Sequence, residues 1–167
     1  MRAFLILILV LGLALLLQTA VVSRITLLSG SADLVLVILA AWSLQERVRH
    51  AWVWGVAAGL LVGIVSGVPW YIYLVAYLSV VGLARLLTRR IWQAPLLAMF
   101  TITLIGTLIL QMSTFVYRTI FEVSLALGSI FSQVILPSLL LNLLLAIAIH
   151  PLMRELAEWL HPADVTA

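Results

Sequence analysis

Residue types that can do chemistry are few in this sequence. The carboxylates are Asp33, Glu46, Glu122, Glu155, Glu158 and Asp164, and the histidines are His50, His150 and His161. The histidines lie in three different segments, which disfavours a metal site, and the glycines form neither a phosphate-binding loop nor a dinucleotide fingerprint. Cysteine is absent, which excludes disulfides and thiol catalysis. We therefore expect neither an enzyme nor a resident cofactor.

The carboxylates are also badly placed for transport chemistry. All six fall at the borders of apolar segments or in the C-terminal tail, so no row of acidic groups leads through an apolar segment. An ion pump or an intramembrane enzyme normally needs such groups. The lack of charged residues within the segments also disfavours a flippase-like protein that handles lipids.

The composition is that of an integral membrane protein. Apolar residues make up 65% of the chain and charged residues 9%, against about 25% charged residues in an average soluble domain. The net charge of +3 depends on nine basic residues, all arginine, which lie singly or in small groups between apolar runs. This distribution is typical of membrane topology, and we expect no nucleic-acid partner.

Six apolar segments approach or reach the roughly 17 to 25 residues of a transmembrane helix. They cover residues 3–22, 33–45, 51–68, 70–87, 95–116 and 130–150. The second is the weakest: it starts near Leu27 or Asp33, and it is kept because Asp33 can lie at a membrane interface. Only a turn at Pro69 separates the third segment from the fourth, which predicts a tight antiparallel hairpin. The predicted fold is all-α, with six transmembrane helices.

Both termini are predicted to be cytoplasmic, because basic residues are enriched in cytoplasmic loops. The arginines on that side are Arg2, Arg47, Arg49, Arg89, Arg90 and Arg154, against Arg24 and Arg118 on the other. The tryptophans expected to anchor the cytoplasmic helix ends at the interface are Trp42, Trp52, Trp54, Trp92 and Trp159. An alternative, that residues 1–20 are a cleaved signal peptide, is disfavoured by the length of the apolar run.

Two prolines are predicted to limit the sixth helix. Pro137 lies in its first turns, where a missing N–H costs little, and Pro151 is expected to end it. Beyond this point the apolar residues of PLMRELAEWL fall near one side, as in a short amphipathic helix on the membrane surface. Residues 1–150 would then form the transmembrane domain and residues 151–167 a cytoplasmic amphipathic tail. On the other side of the membrane, residues 117–129 could form a second surface helix.

Four glycines in the third segment form the strongest positive pattern. Gly55, Gly59, Gly63 and Gly67 recur every fourth residue, which places them along one face of a helix. In lipid, small residues let two helix backbones approach closely. Packing against another helix of this chain is the commoner use of such a face, and docking of another protein's helix is the alternative.

Asn142 is a polar residue near the middle of the sixth segment, and Ser138 lies one turn before it on the same face. An amide in hydrocarbon needs a hydrogen-bond partner, and Gln18, Gln111 and Ser113 are the candidates at comparable depth. We expect Asn142 to hold helices together rather than to bind a ligand.

Five stretches along the chain carry a likeness to a known family. They are Leu15-Leu16-Leu17-Gln18, Ala32-Asp33 followed by Leu34 to Trp42, Gly55-x-x-x-Gly59-Leu60-Leu61 with Ser66-Gly67, Tyr77-Leu78, and Leu136-Pro137 with Asn142 and Pro151-Leu152. Their order, the chain length and the six expected spans resemble the family of the rod shape-determining protein MreD over nearly the whole chain. One position departs from the family's pattern. The family usually has an aspartate where this chain has Gly63, so the role of that acid is not carried over.

The resemblance implies a non-enzymatic scaffold or regulatory subunit of the bacterial elongation machinery, or elongasome, in the inner membrane. Proteins of this kind pair with MreC, which engages the class B penicillin-binding transpeptidase that works with the RodA glycosyltransferase, and MreB filaments complete the assembly. The subunit would support peptidoglycan synthesis and rod cell shape. The candidate helix-packing or partner-docking residues are Gly55, Gly59, Gly63, Gly67, Asn142 and Gln18.

A second reading is a substrate-binding subunit of an energy-coupling-factor vitamin transporter. Those proteins are also small, with six helices, and the MreD family is thought to share their general fold. Such a subunit needs several convergent polar groups in a pocket at the outer side, and the outer loops here offer few. It also usually has an A-x-x-x-A face in its first helix, which Gly12, Ala14 and Ala20 do not reproduce.

Overall fold

A computed structural model describes residues 2–20, 22–24, 26–46, 48, 50–88, 95–121 and 127–160. The elements are α1 (Arg2–Ala20), a 3₁₀ turn (Val22–Arg24), β1 (Thr26–Leu27), β2 (Gly30–Ser31), α2 (Leu34–Ser43), α3 (Ala51–Val65), α4 (Trp70–Thr88), α5 (Pro95–Phe121), α6 (Leu127–Ile130), a π-helical turn (Phe131–Ile135) and α7 (Leu136–Leu160). Strands β1 and β2 form one short antiparallel hairpin. The rest of the described chain is almost entirely helical, which confirms the all-α fold.

The helices differ in length. Among the residues whose side chains the structure describes, the helices long and apolar enough to cross a membrane are α4, α5 and the continuous stretch Leu127–Leu160, and the shorter apolar helices are Ile8–Ala20 within α1, α2 and α3. The segment expected to be weakest is the shortest of these: α2 has 10 residues, which give a length of about 15 Å, half the thickness of a bilayer core.

Helix α2 forms the centre of the molecule. All its residues are buried, and it packs against α1, α3, α4, α5 and α7. A helix that is apolar on every side is stable only when other helices surround it. The β1–β2 hairpin precedes α2, and no helix starts at Leu27. The prediction that the second helix could start at Leu27 was therefore wrong, and the alternative start near Asp33 is confirmed.

Helices α1 to α5 and the continuous stretch Leu127–Leu160 run in alternating directions. One end of the bundle, here called the Asp33 end, has a cavity lined by residues from the end of α1, the start of α2, the end of α3, the start of α4 and the end of α5. A second cavity, of about 270 Å³, is lined by residues from the end of α2, the end of α4, the start of α5 and the end of α7. The order of the helices therefore alternates between the two ends, as expected for a polytopic protein.

Helices α3 and α4 form the close antiparallel hairpin that the sequence predicts. A Cβ atom on Gly59 would lie 2.7 Å from Leu74 Cα, and one on Gly63 would lie 2.7 Å from Trp70 Cα. Gly55 faces the side chains of Val81 and Leu78, which also belong to α4. These three glycines thus face a helix of their own chain.

Gly67 and Gly63 of the glycine pattern each allow one further conclusion. Gly67 has nothing within 4 Å of its would-be Cβ and lies beyond the end of α3. At Gly63 the α4 backbone fills the space that a side chain would need, so the aspartate usual in the family has no room in this packing.

The sixth helix does not end at Pro151. Pro151 lies inside α7, which continues to Leu160, so the expected break before a separate amphipathic helix was wrong. The expected outer surface helix over 117–129 was wrong in part, because Tyr117 to Phe121 belong to α5 and residues 127–129 to α6; residues 122–126 lie outside the described chain.

Two tryptophans expected at the interface are buried instead. Trp42 and Trp54 have 2% and 5% of their surface exposed, and their ring centroids are 4.6 Å apart. They therefore pack against each other within the bundle. Trp52 and Trp159 are exposed, and residue 92 lies outside the described chain.

Substitution of Gly59 or Gly63 by alanine is expected to destabilise the protein by about 1–3 kcal/mol, because the new methyl group overlaps the α4 backbone. Thermal unfolding of the purified protein in detergent measures the effect. Gly67→Ala and Gly12→Ala are matched controls, since nothing lies near either position. Equal melting temperatures for all four variants would contradict the close contact.

Candidate functional site at the start of α2

Asp33 caps the central helix. Its backbone is extended, with φ −114° and ψ 91°, and its Oδ1 accepts a hydrogen bond of 2.9 Å from the Leu36 N–H. An aspartate at this position pairs one of the first N–H groups of a helix, which otherwise have no acceptor. The hydrogen bond from the Leu36 N–H to the Asp33 side chain therefore explains why the helix starts at Leu34.

Polar side chains from α1 and α7 pair the backbone just before α2. The Gln18 Nε2 donates to the Ala32 carbonyl over 2.8 Å, and its Oε1 accepts from the Leu34 N–H over 2.7 Å. From the other side, the Asn142 Oδ1 accepts from the Asp33 N–H over 2.6 Å. Backbone outside a helix or closed sheet is tolerated within a bilayer only when protein groups satisfy it. Two amide side chains meet this need here.

Asn142 also links α7 to α5. Its Nδ2 donates to the Thr107 Oγ1 over 2.8 Å, and that hydroxyl donates to the Thr103 carbonyl over 2.7 Å. Asn142 and Thr107 are each 1% exposed. The partners expected for Asn142 were wrong, because Gln18 bonds to the adjacent residues instead of to Asn142. Ser138, one turn earlier on α7, also pairs this backbone, since its Oγ accepts from the Ser31 N–H over 3.2 Å.

Tyr77 of α4 binds the Asp33 carboxylate. Its hydroxyl lies 3.0 Å from Oδ1 and 2.9 Å from Oδ2 and donates to this carboxylate, and the tyrosine is fully buried. Asp33 is therefore a partly buried group between helices, and it contacts a tyrosine that the sequence did not pair with it. The signal that could have found it was a cap-forming aspartate before an apolar run together with a tyrosine inside a later apolar segment.

The hairpin that precedes α2 is held by the π-helical turn and α7. Pro137 follows the π-helical turn, and it has no N–H to donate to a carbonyl of this turn. The Ser29 N–H donates to the Gln133 carbonyl over 3.0 Å. Gly30 lies so close that a Cβ there would be 2.6 Å from the Val134 carbonyl oxygen. The π-helical turn thus supplies the acceptor that holds the hairpin.

A cavity of about 430 Å³ opens beside Asp33. Its polar lining comes from four helices and includes Gln18, Asp33, Tyr73, Gln111, Thr114 and Arg118. The sequence expectation concerned the outer loops, whereas most of these polar groups lie on helices, and Ser29, Ser31 and Asp33 lie just before α2. In the described part of the chain, no group of three histidine, aspartate or glutamate residues could hold a metal ion.

These features define a class of protein: a helical membrane protein in which polar side chains join the helices around a short central one. The family model of the rod shape-determining protein MreD matches residues 1–159, and the chain belongs to this family. This confirms the resemblance that the sequence motifs indicated. No curated protein and no solved structure matches the chain significantly.

Asn142→Leu is expected to lower stability by about 1–3 kcal/mol, because the Asp33 N–H and the Thr107 hydroxyl each lose a partner in a buried site. The melting temperature in detergent measures the loss. Gln111→Leu is the matched control: it makes the same kind of change on a cavity-facing amide for which the described chain offers no hydrogen-bond partner. Equal melting temperatures for the two variants would contradict the role of Asn142 in holding the helices together.

Tyr77→Phe removes the hydroxyl that donates to the Asp33 carboxylate and is expected to cost about 1–2 kcal/mol. Tyr71→Phe removes an equivalent hydroxyl from an exposed position and should leave stability unchanged. Denaturation of the two variants side by side tests this. A Tyr77→Phe protein as stable as Tyr71→Phe would show that the carboxylate does not depend on this donor.

Proposed function

We propose that the chain is a non-enzymatic scaffold or regulatory subunit of the elongasome, binds MreC, and supports peptidoglycan synthesis and rod cell shape. The observation that carries the proposal is the family match over residues 1–159. The polar network agrees with it, since Gln18, Asn142, Tyr77 and Thr107 all bond to groups of this chain. Their hydrogen bonds hold helices together, as a scaffold requires.

The proposed topology has six crossings in the bacterial inner membrane, with both termini cytoplasmic. The alternating helix directions support it, as does the excess of arginine in one set of loops. In this arrangement the β1–β2 hairpin and α2 cross the membrane together, because α2 alone is too short. The backbone of β2 and of residues 32–33 is paired by α1 and α7, whereas β1 and Leu28 are exposed. The last turns of α7, after residue 150, would extend into the cytoplasmic tail.

The proposed partners are MreC directly, and the class B transpeptidase, RodA and MreB through the complex. The glycine pattern of α3 is a poor docking site for MreC, because three of its four members, Gly55, Gly59 and Gly63, face α4. Gly67 alone is open. Loss of MreC binding on changing Gly59 or Gly63 would therefore follow from a disturbed α3–α4 hairpin.

The vitamin-carrier reading remains the second candidate, and the cavity beside Asp33 is the observation that favours it. Its volume falls in the range of small-molecule sites. A vitamin retained by the protein through purification, detected by native mass spectrometry, or a neighbouring gene for a transport ATPase would support it. A neighbouring gene for MreC supports the scaffold.

Co-purification with MreC tests the proposed function. The tagged chain is co-expressed with MreC from the same genome and extracted in mild detergent, and we expect MreC to elute with it. Gln111→Leu should retain MreC at the wild-type level, whereas Asn142→Leu should lose it in step with the loss of folded protein. Absence of MreC from the eluate of folded wild-type protein would refute direct binding.

A further inference from the structure

The cavity of about 270 Å³ lies at the end of the bundle opposite the Asp33 end, and three helices end beside it. Leu44 follows α2, Thr88 is the last residue of α4, and Glu158 lies in the last turn of α7. One helix, α5, starts there with Pro95. Because the carbonyl groups at a helix end carry a partial negative charge and the N–H groups at a helix start a partial positive one, this arrangement favours a cation.

The charged side chains of the lining have the same preference. Glu46 and Glu158 supply two negative charges and Arg154 one positive charge, which leaves a net charge of −1. Within the described ranges, neither carboxylate has a hydrogen-bond or ion-pair partner. Arg85 of α4 lies behind the lining, where its Nη1 is 3.5 Å from the Gln45 carbonyl, so its charge acts mainly on the end of α2.

The uncharged polar side chains of the lining offer hydrogen-bond acceptors. The Gln45 Nε2 donates to the Ala41 carbonyl over 3.1 Å, so the Oε1 is the atom left for a ligand. The Thr88 hydroxyl donates to the Ala84 carbonyl over 2.7 Å, which leaves lone pairs on its oxygen. A ligand that donates hydrogen bonds therefore finds more partners here than one that accepts them.

His150 forms a buried part of the cavity wall. It is only 8% exposed, and its Nδ1 is enclosed by protein without a hydrogen-bond partner in the described chain. The other ring nitrogen, Nε2, is not enclosed in this way, so it is the one open to the cavity. Buried polar side chains are nearly always paired, and Nε2 of a neutral imidazole can accept a hydrogen bond. This unpaired ring indicates that the cavity holds a ligand.

The cation that fits this cavity is small and organic. In the part of the chain that the structure describes, no group of histidine and carboxylate residues could hold a metal ion. The volume lies just below the range of about 300–1,000 Å³ that is usual for drug-sized ligands. Leu44, Ala98 and Ala157 provide apolar surface beside the polar groups, which suits a short alkyl chain.

We propose that this cavity binds a primary ammonium carried on a short alkyl chain. The ammonium donates to the carboxylates of Glu46 and Glu158 and to the Gln45 Oε1, with the His150 Nε2 as a further acceptor. Such an ammonium has two sources, a free amine or the lysine side chain of another polypeptide. This inference does not depend on the elongasome role, and only the cytoplasmic origin of the ligand rests on the proposed topology.

Ligand-observed NMR on the full chain in a neutral detergent tests the proposal. The probe is n-butylammonium, and n-butanol and butyltrimethylammonium are the matched controls at equal ionic strength. We expect saturable binding of butylammonium with a dissociation constant on the order of 1 mM, and binding of the controls about tenfold weaker, because one lacks the charge and the other lacks N–H donors. Displacement of butylammonium by the peptide acetyl-Gly-Lys-Gly-amide supports a lysine side chain as the source, and binding without such displacement supports a free amine.

Variants that remove one charge locate the binding site. Glu46→Gln and Glu158→Gln should each weaken the binding of butylammonium about threefold to tenfold. Glu155→Gln is the matched control, because it removes the same charge from an exposed position of α7 outside the cavity lining, and it should bind as the wild type does. Arg154→Gln should tighten binding about threefold, since it removes the competing cation.

His150→Leu separates ligand binding from folding. The Nδ1 has no partner to lose, so the melting temperature should not fall, whereas the affinity for butylammonium should fall about threefold with the loss of the Nε2 acceptor. A lower melting temperature with unchanged affinity would make His150 a purely structural residue and would contradict its place in the site.

Three further results would overturn the proposal. They are equal binding of butylammonium and its controls, which is the behaviour of partition into detergent; wild-type affinity in both Glu46→Gln and Glu158→Gln; and weaker binding in Arg154→Gln, which indicates a site for anions. Melting temperatures of each variant ensure that a loss of binding is not a loss of fold. Failure of this test leaves MreC co-purification unaffected, so the two proposals fail separately.

Discussion

The structure depends on satisfying the backbone of residues 29–34 in the middle of a helical membrane protein. These residues form neither a long helix nor a closed sheet, so their N–H and C=O groups need partners from elsewhere. Gln18 from α1, Asn142 and Ser138 from α7, and the carbonyl of Gln133 provide them. An unpaired buried group of this kind costs about 1–3 kcal/mol. The positions of α1 and α7 relative to α2 are therefore fixed by hydrogen bonds, whereas apolar contacts alone would allow them to slide.

A second constraint acts between α3 and α4, and it is one of shape. Glycines at 55, 59 and 63 bring the α4 backbone into van der Waals contact with α3, which replaces the hydrophobic driving force that is missing in lipid. The two constraints act in different parts of the molecule. Hydrogen bonds organise the helices around the start of α2, and close backbone packing organises the hairpin beside it.

The sequence predicted the helical fold and the identity of the important polar residues better than it predicted their contacts. Apolar runs gave six helices, and Gln18 and Asn142 stood out because amides are costly in hydrocarbon. Their partners were out of reach, because a side chain pairs with whatever backbone the fold brings near it, here the start of α2. Asp33 was placed at an interface because hydropathy counts a charge as a border, and nothing local shows that Tyr77 lies beside it.

Helix ends were misjudged for a related physical reason. A proline was taken as a boundary at 151, yet the helix continues, since one lost hydrogen bond is tolerated within a long helix supported by its neighbours. The cavity was not predicted because its polar groups come from several helices, and those on α5 are about one turn apart. Only their assembly in space brings Gln111 and Arg118 opposite Asp33.

The bond between Asp33 and Asn142 joins residues 109 positions apart, and this sets an order for biogenesis. The ribosome synthesises α2 long before α7. The hydrogen bond between the Asp33 N–H and Asn142 therefore cannot form until α7 has been made. Until the last helix enters the bilayer, the hairpin must keep its polar backbone in contact with water or with the insertion machinery. A chain truncated before Asn142 would consequently present an unfinished centre to cellular quality control, even though its first five helices had all been synthesised.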